Sequence, residues 1–378
     1  MVGLLAPQSG GEKTETAIWS ILGPFLFALL VMTVSSVSLV NSSVSFKLSV
    51  LDQAPVAEGE SSAQALHNTL ALARLADRLG YYRYWVSEHH GTTSLACASP
   101  EVLIGPIAAA TSRLRVGSGG VMLPHYSPLK VAESFSMLSA LYPDRIDLGL
   151  GRAPGSDMLT ASALQRDRRQ SPEDDFPAQL EELLAYLHDE MPAEHPFARL
   201  SALPGKPELL QTWLLGSSSQ SGIWAAQSGL PYMFADFIHA AGETVAQRYQ
   251  RDFKASSRLA QPHQGVALQV ICADTDEQAR LLASSYGMRL IHMHSGRRLD
   301  YIPSVQTALD FFEQHDLPLS TLPSGRRAVI GSPGRVREQI ETLASAYGAA
   351  EVMIVSIIHE HSARMRSYEL IAQAFGLA

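Results

Sequence analysis

Four polar clusters in this chain follow short β-rich runs, and each combines residue types that could hold or act on a small molecule. Glu88-His89-His90 comes first, directly after Tyr84-Trp85-Val86. An imidazole titrates near pH 6.5, so the cluster reads as a general-base pair, as metal ligands, or as a satisfied structural group. Neighbouring strand residues point to opposite faces, which counts against His89 and His90 binding one metal. The second cluster, Gly117-Ser118-Gly119-Gly120, places three glycines in a strand. Glycine weakens a strand, so the run marks a bulge or tight bend, or a bare stretch of main chain that a flat ring approaches.

Gly151-Arg152-Ala153-Pro154-Gly155 sets one guanidinium among small residues. It suits an anionic ligand held by charge-assisted hydrogen bonds, or an ordinary salt bridge. In the fourth cluster Gly216 precedes Ser217, Ser218, Ser219 and Ser221 at the start of a helical pattern. One serine there is an N-cap, whereas several serines, free N–H groups and the positive end of a helix suit a phosphate. His359-Glu360-His361 reads as a polar strand-to-helix junction. A metal-dependent hydrolase using His89, His359 and His361 is the competing use of those histidines.

These clusters need a scaffold that gathers strand ends. Strand patterns run at 46–51, 84–86, 114–123, 146–150, 211–215, 232–238, 266–273 and 351–358, with helical patterns between them, among them 61–79, 99–110, 128–141, 176–188 and 221–229. Strict alternation favours one parallel sheet closed into a (β/α)8 TIM barrel, whose ligands sit at the C-terminal rim. An open doubly wound sheet is the alternative, but no G-x-G-x-x-G follows the first strand. The stretch from Gly287 to Arg327 reads as an insertion after the seventh strand, of the kind that forms lids.

With 378 residues, 46% of them hydrophobic and 17% charged, the chain can bury a full core, which excludes intrinsic disorder. A formal charge of -8 and the lack of any basic tract argue against nucleic-acid binding. Cys97 and Cys272 form no C-x-x-C spacing, which points to a reduced, cytoplasmic compartment. Ala17 to Val34 carries no charge, at the lower edge of a membrane span. It reads either as a membrane or export segment or as an over-extended translation start with initiation at Val44. Residues 1–43 are therefore expected to be a non-barrel hydrophobic extension, and 44–378 a single barrel domain with an insertion.

The EHH at 88–90, TSRLRVGSGGVMLPHYSPLKVAE at 111–133, PDRIDLGLGRAPGSD at 143–157 and LLGSSSQSGIWAAQSGLPYMFA at 214–235, with RSYELIAQAF at 366–375, resemble the bacterial luciferase-like flavin monooxygenases. The likeness is to the single-chain branch with LDQ and GRAPG motifs, and it spans Ser45 to the C-terminus. It implies a barrel that uses reduced flavin mononucleotide (FMN), supplied by a separate reductase, and dioxygen. The implied substrate is a small apolar carbonyl or related compound, and the implied assembly a homodimer.

The same resemblance makes His89 the histidine beside the flavin that supports its oxygen chemistry and proton transfers. Gly119 and Gly120 match the strand beneath the isoalloxazine, where the family often has a non-prolyl cis peptide. Arg152 matches a flavin-binding arginine, and Ser217, Ser218 and Ser221 match the phosphate-contacting segment. No metal is implied. Light-emitting members carry a reactive cysteine where this chain has Gly151, so thiol chemistry is not carried over. A deazaflavin-dependent dehydrogenase on the same barrel and a non-catalytic flavin-binding protein are the remaining alternatives.

Overall fold

In a computed structural model, the structure describes residues 46–152, 157–164, 175–200 and 210–377. The expectation for residues 1–43 lies outside them, as do Ala153, Pro154 and Gly155 of the arginine motif. Among the described residues no helix is long and apolar enough to cross a membrane.

Eight parallel strands close a ring. They are β1 (Lys47–Asp52), β2 (Arg83–Val86), β3 (Arg115–Met122), β4 (Ile146–Gly151), β5 (Gln211–Gly216), β6 (Tyr232–Ala235), β7 (Gln264–Cys272) and β9 (Glu351–Val355). Neighbours in sequence pair in order, as in Val50 with Tyr84 and Leu148 with Thr212. The ring shuts where Val352 of β9 lies between Leu48 of β1 and Val266 of β7. A short strand, β8 (Val329–Gly331), pairs only with the last residues of β7 and stands outside the ring. The strands are legible because both faces of a parallel sheet are covered, so they read as near-continuous apolar runs. All nine residues of β7 are buried.

Helices fill the crossovers: α1 (Ser62–Leu79), α2 (Pro100–Ala110), α3 (Pro128–Leu141), α4 (Met158–Leu164), α5 (Phe176–His188), α6 (Ser219–Gln227), α7 (Glu243–Asp252), α8 (Asp276–His294), α9 (Val305–Gln314), α10 (Pro333–Tyr347) and α11 (His361–Phe375). Their limits follow local chemistry. Ser61 and Thr275 cap α1 and α8 by accepting from the N–H three residues on. Gly80 ends α1 at φ +83°, a conformation only glycine adopts freely.

The expected insertion needs correcting at its start. Gly287 lies inside α8, where an added Cβ would sit 3.2 Å from the ring of Phe312 on α9. The excursion therefore begins only after His294, and it consists of α9 with its flanking loops, leading into β8.

A buried ionic cluster closes the N-terminal end of the barrel. Arg83 donates to Asp147 at 2.7 Å and to Glu351 at 3.0 Å, and Glu351 also accepts from Ser49 at 2.5 Å. Trp85 Nε1 reaches the same Asp147 at 2.9 Å. Charges at this end of a barrel serve stability and leave the opposite rim for chemistry. A second buried pair, between β1 and α11, braces the opposite rim. Asp52, the last residue of β1, accepts from Arg364, Tyr84, Thr69 and the N–H of Ala54. The Arg364 guanidinium and the two hydroxyls outweigh burial and hold the Asp52 carboxyl below its usual range.

Candidate active site

Two adjoining cavities open at the C-terminal ends of the strands. The first holds about 260 Å³ and is lined by Gly119, Gly120, Arg152, Ser217, Ser218 and Ser221, the six binding residues expected from sequence. Its walls are otherwise mostly apolar, with Leu51, Met122, Leu215 and Met233 among them. The second holds about 300 Å³ and is lined by His89 and His90. Phe237 and Ile238 line both.

The glycine-rich strand is a bulge. Gly119 pairs with Gly149, but Val121 pairs with Leu150, so Gly120 is the extra residue. The Gly119–Gly120 peptide is cis. An added Cβ on Gly120 would stand 2.8 Å from both the Gly149 carbonyl oxygen and Leu215 Cδ1, and one on Gly119 would crowd Leu51 and Trp85. Close packing between strands thus accounts for both glycines, while their main chain still faces the first cavity. Ser118 fastens the arrangement by donating its hydroxyl to the Gly149 carbonyl at 2.9 Å and accepting the Gly149 N–H at 3.0 Å.

Across the cavity, Ser218 is the N-cap of α6 but its hydroxyl makes no capping bond. The first N–H groups of α6 also lack intrahelical acceptors, as at any helix start. Ser221 differs from its neighbours. It is buried, with its hydroxyl on the Ser218 carbonyl at 2.8 Å and the Tyr232 hydroxyl at 2.9 Å, so it shapes the turn from within. Arg152 follows β4 with its guanidinium 5.4 Å above the Trp224 ring, a cation–π distance.

His89 and His90 stand in the loop beyond β2, so strand alternation does not separate them, and both reach the second cavity. They have different partners. His90 donates from Nε2 to Glu88 at 2.7 Å, and buried Glu88 also accepts from Tyr126 at 2.9 Å and the N–H of Met122 at 3.0 Å. His89 Nδ1 pairs with the Ser87 hydroxyl at 3.1 Å. Burial first, then the charges of Arg289 and His90, push the His89 imidazole down to about 4, so it is neutral at neutral pH.

The histidines after β9 form the expected junction. Glu360 is the N-cap position of α11, which starts at His361, and His359 Nε2 bonds the Glu58 carbonyl at 3.1 Å. Among the described residues no group of three or more His, Cys, Asp and Glu is placed to hold a metal ion. Sequence reasoning missed the groups that face His89 across the second cavity, Gln269, Tyr286, Arg289 and Arg326. A lone arginine in a helix ordinarily marks a solvated face, and nothing in the pattern of α8 says otherwise.

A family model for the luciferase-like monooxygenases matches residues 46–350. The uncharacterized protein YwcH of Bacillus subtilis is 44% identical over 87% of this chain and 98% of its own. A luciferase-like monooxygenase of Escherichia coli is 40% identical over 85% of this chain and 95% of its own. The N-acetyl-S-alkylcysteine monooxygenase of Bacillus subtilis is 36% identical over 87% and 98%. Among solved structures, apo-MsnO8 superposes with a TM-score of 0.78 at 42% identity, covering 88% of this chain and 98% of that one. The oxygenating constituent of 3,6-diketocamphane monooxygenase from Pseudomonas putida, solved with FMN, gives 0.64 at 19% identity over 87% and 98%, a likeness of fold alone.

Proposed function

Because this chain belongs to the luciferase-like monooxygenase family, we propose that it is a flavin-dependent monooxygenase using reduced FMN and dioxygen on a small organic substrate with an apolar body, a carbonyl or related compound. The observation that carries the reading is the meeting of six residues from β3, the loops after β4 and β5, and the first turn of α6 in one cavity. The residues fit the cofactor. Bare main chain at Gly119 and Gly120, with Leu51, Met122 and Leu215 around it, suits a planar ring system. The uncapped start of α6, the hydroxyls of Ser217 and Ser218, and the Arg152 guanidinium suit a phosphate.

When bound, reduced FMN supplies the two electrons with which one atom of dioxygen enters the substrate and the other leaves as water. The protein orients and excludes solvent. Apolar walls keep water from the reacting face, which strengthens each polar contact made there. His89, neutral and hydrogen-bonded to Ser87, has a ring nitrogen able to take a proton in the second cavity. A separate reductase that reduces the flavin, and pairing of two chains through barrel helices, belong to the same reading. On α2 and α3, Val102, Met137 and Leu141 keep large apolar side chains exposed.

The test is a titration of the purified chain, begun at Val44, with reduced FMN, a reduced deazaflavin and zinc, followed by oxygen uptake. Saturable binding of FMN with oxygen consumption supports the proposal. Hydride transfer from the deazaflavin without oxygen uptake, or zinc at one equivalent with no response to either flavin, sinks it.

A further inference from the structure

The second cavity carries a charge pattern that the flavin reading leaves unused. Arg289, on the inner side of α8, faces it with no salt-bridge partner among the described residues. Arg326 lines the same wall, with one nitrogen donating to the Phe237 carbonyl at 2.8 Å. Among the described residues lining the cavity none is an aspartate or glutamate. Glu88 is committed to His90, Tyr126 and Met122, and Arg298 at the rim takes Asp157 at 2.8 Å.

A second, independent feature lies opposite. Gln269 of β7 is 1% exposed and lines this cavity, yet neither its amide nitrogen nor its amide oxygen has a hydrogen-bond partner. Buried polar groups in folded proteins are nearly always paired, and an unpaired buried charge is costlier still. Arg289 and Gln269 therefore present donors to one volume that the other described residues leave unmatched. Leu290, Met293, Ile357 and Phe237 supply an apolar part of the wall, and His89, His90, Thr92 and Ser94 a polar one.

We infer that Arg289 and Gln269, with Arg326 behind them, form the head-group site for an organic carboxylate whose short apolar body lies along Leu290, Met293 and Ile357 toward the first cavity. Planar carboxylate geometry matches the guanidinium fork, and the amide of Gln269 adds a further donor. Burial and then the neighbouring Arg326 both lower the Arg289 pKa, while Tyr286, whose hydroxyl burial pushes up to about 12, offers no compensating charge at neutral pH. Naming the occupant a substrate rests on the flavin-dependent reading above; the anion site itself does not. It narrows that substrate from a small organic compound to an amphipathic acid oxidised at its far end.

Hexanoate and hexan-1-ol, matched in chain length and differing in charge, are the probes. Each is titrated by ligand-observed NMR into the flavin-free chain and into Arg289→Met and Arg289→Lys. The wild type should prefer hexanoate by about tenfold or more, a charge-assisted bond's contribution. Arg289→Met should abolish that preference, and Arg289→Lys, which keeps the charge and reports on folding, should retain part of it. Equal binding of the two probes by the wild type, or an undiminished preference in Arg289→Met, overturns the inference. FMN and riboflavin affinities separate the two sources of an anion. If Arg289→Met weakens FMN but not riboflavin, the site holds the flavin's own phosphate and the substrate assignment falls. If neither flavin binds while the Arg289-dependent preference for hexanoate persists, the proposed function fails and the acid site stands.

Discussion

The Glu88 carboxylate accepts the backbone N–H of Met122 at 3.0 Å, so the loop carrying His89 and His90 is tied to the last residue of the glycine-rich strand. Both cavities hang on that tie, because Met122 lines the first and His90, held by the same carboxylate, lines the second. Glu88→Ala leaves three donors without their acceptor inside the protein. It is expected to cost about 2–4 kcal/mol in urea denaturation. Flavin affinity should fall with it, and Glu88→Gln, which keeps the shape and an acceptor oxygen, should lose less of both. Equal stability of Glu88→Ala and wild type would show that the tie is incidental.

At Gly120 the packing leaves no room. A Cβ there would meet the Gly149 carbonyl and Leu215 Cδ1, both at 2.8 Å, and one of those neighbours is backbone. Gly120→Ala should destabilise by about 1–3 kcal/mol, the usual range for overpacking, and distort the cavity it borders. Gly334→Ala, in the first turn of α10 with open space around its Cβ position, is the control and should be neutral or slightly stabilising. A thermal shift as small for Gly120→Ala as for Gly334→Ala would remove the packing account of the bulge.

The two glycines show where sequence reading reaches its limit. Their irregularity within a strand was legible, since three glycines in a parallel strand have to mark something irregular. Whether a ligand or another strand demanded them was not, because that depends on Leu51, Leu215 and Gly149, which come from β1, β5 and β4. The ring of strands and the serine-rich start of α6 were legible for local reasons, apolar runs and the serine preference of helix starts. Strand β8 was not, for three residues that pair only with the end of β7 carry no period. Arg289 and Gln269 escaped notice for a related cause. Each looks ordinary within its own element, and only the packing of α8 against β7 leaves both facing one cavity with no partner among the described residues.

If the start of α6 holds the flavin's phosphate, its residues must separate FMN from riboflavin. Arg152→Ala should weaken FMN about tenfold or more and Ser218→Ala about fivefold, with little change for riboflavin. Ser221→Ala should behave differently, because its hydroxyl is spent on the Ser218 carbonyl and Tyr232. It should lower stability by about 1 kcal/mol and weaken FMN only through the shape of the turn. Quenching of flavin fluorescence measures these affinities. Losses equal for FMN and riboflavin in Arg152→Ala would move the phosphate elsewhere.

Acid should weaken the fold through two histidines. Burial, followed by the Arg364 charge, pushes the His361 imidazole down to about 4, and His89 reaches the same value through burial, Arg289 and His90. In the unfolded chain each titrates near 6.5. Between pH 6.5 and about 4 the unfolded state therefore binds more protons than the folded one, so stability present above 6.5 is lost as pH falls through that window. His361 Nε2 has no hydrogen-bond partner among the described residues, so His361→Asn forfeits little bonding. It should shrink the drop in unfolding free energy between pH 7 and pH 5 by roughly 1 kcal/mol, allowing for the partial exposure of the ring. The same sign governs chemistry at His89, which enters turnover neutral and able to accept a proton. Its own titration should leave the activity profile flat between pH 7 and 5, and an acidic limb near 6.5 that disappeared in His89→Asn would contradict that assignment.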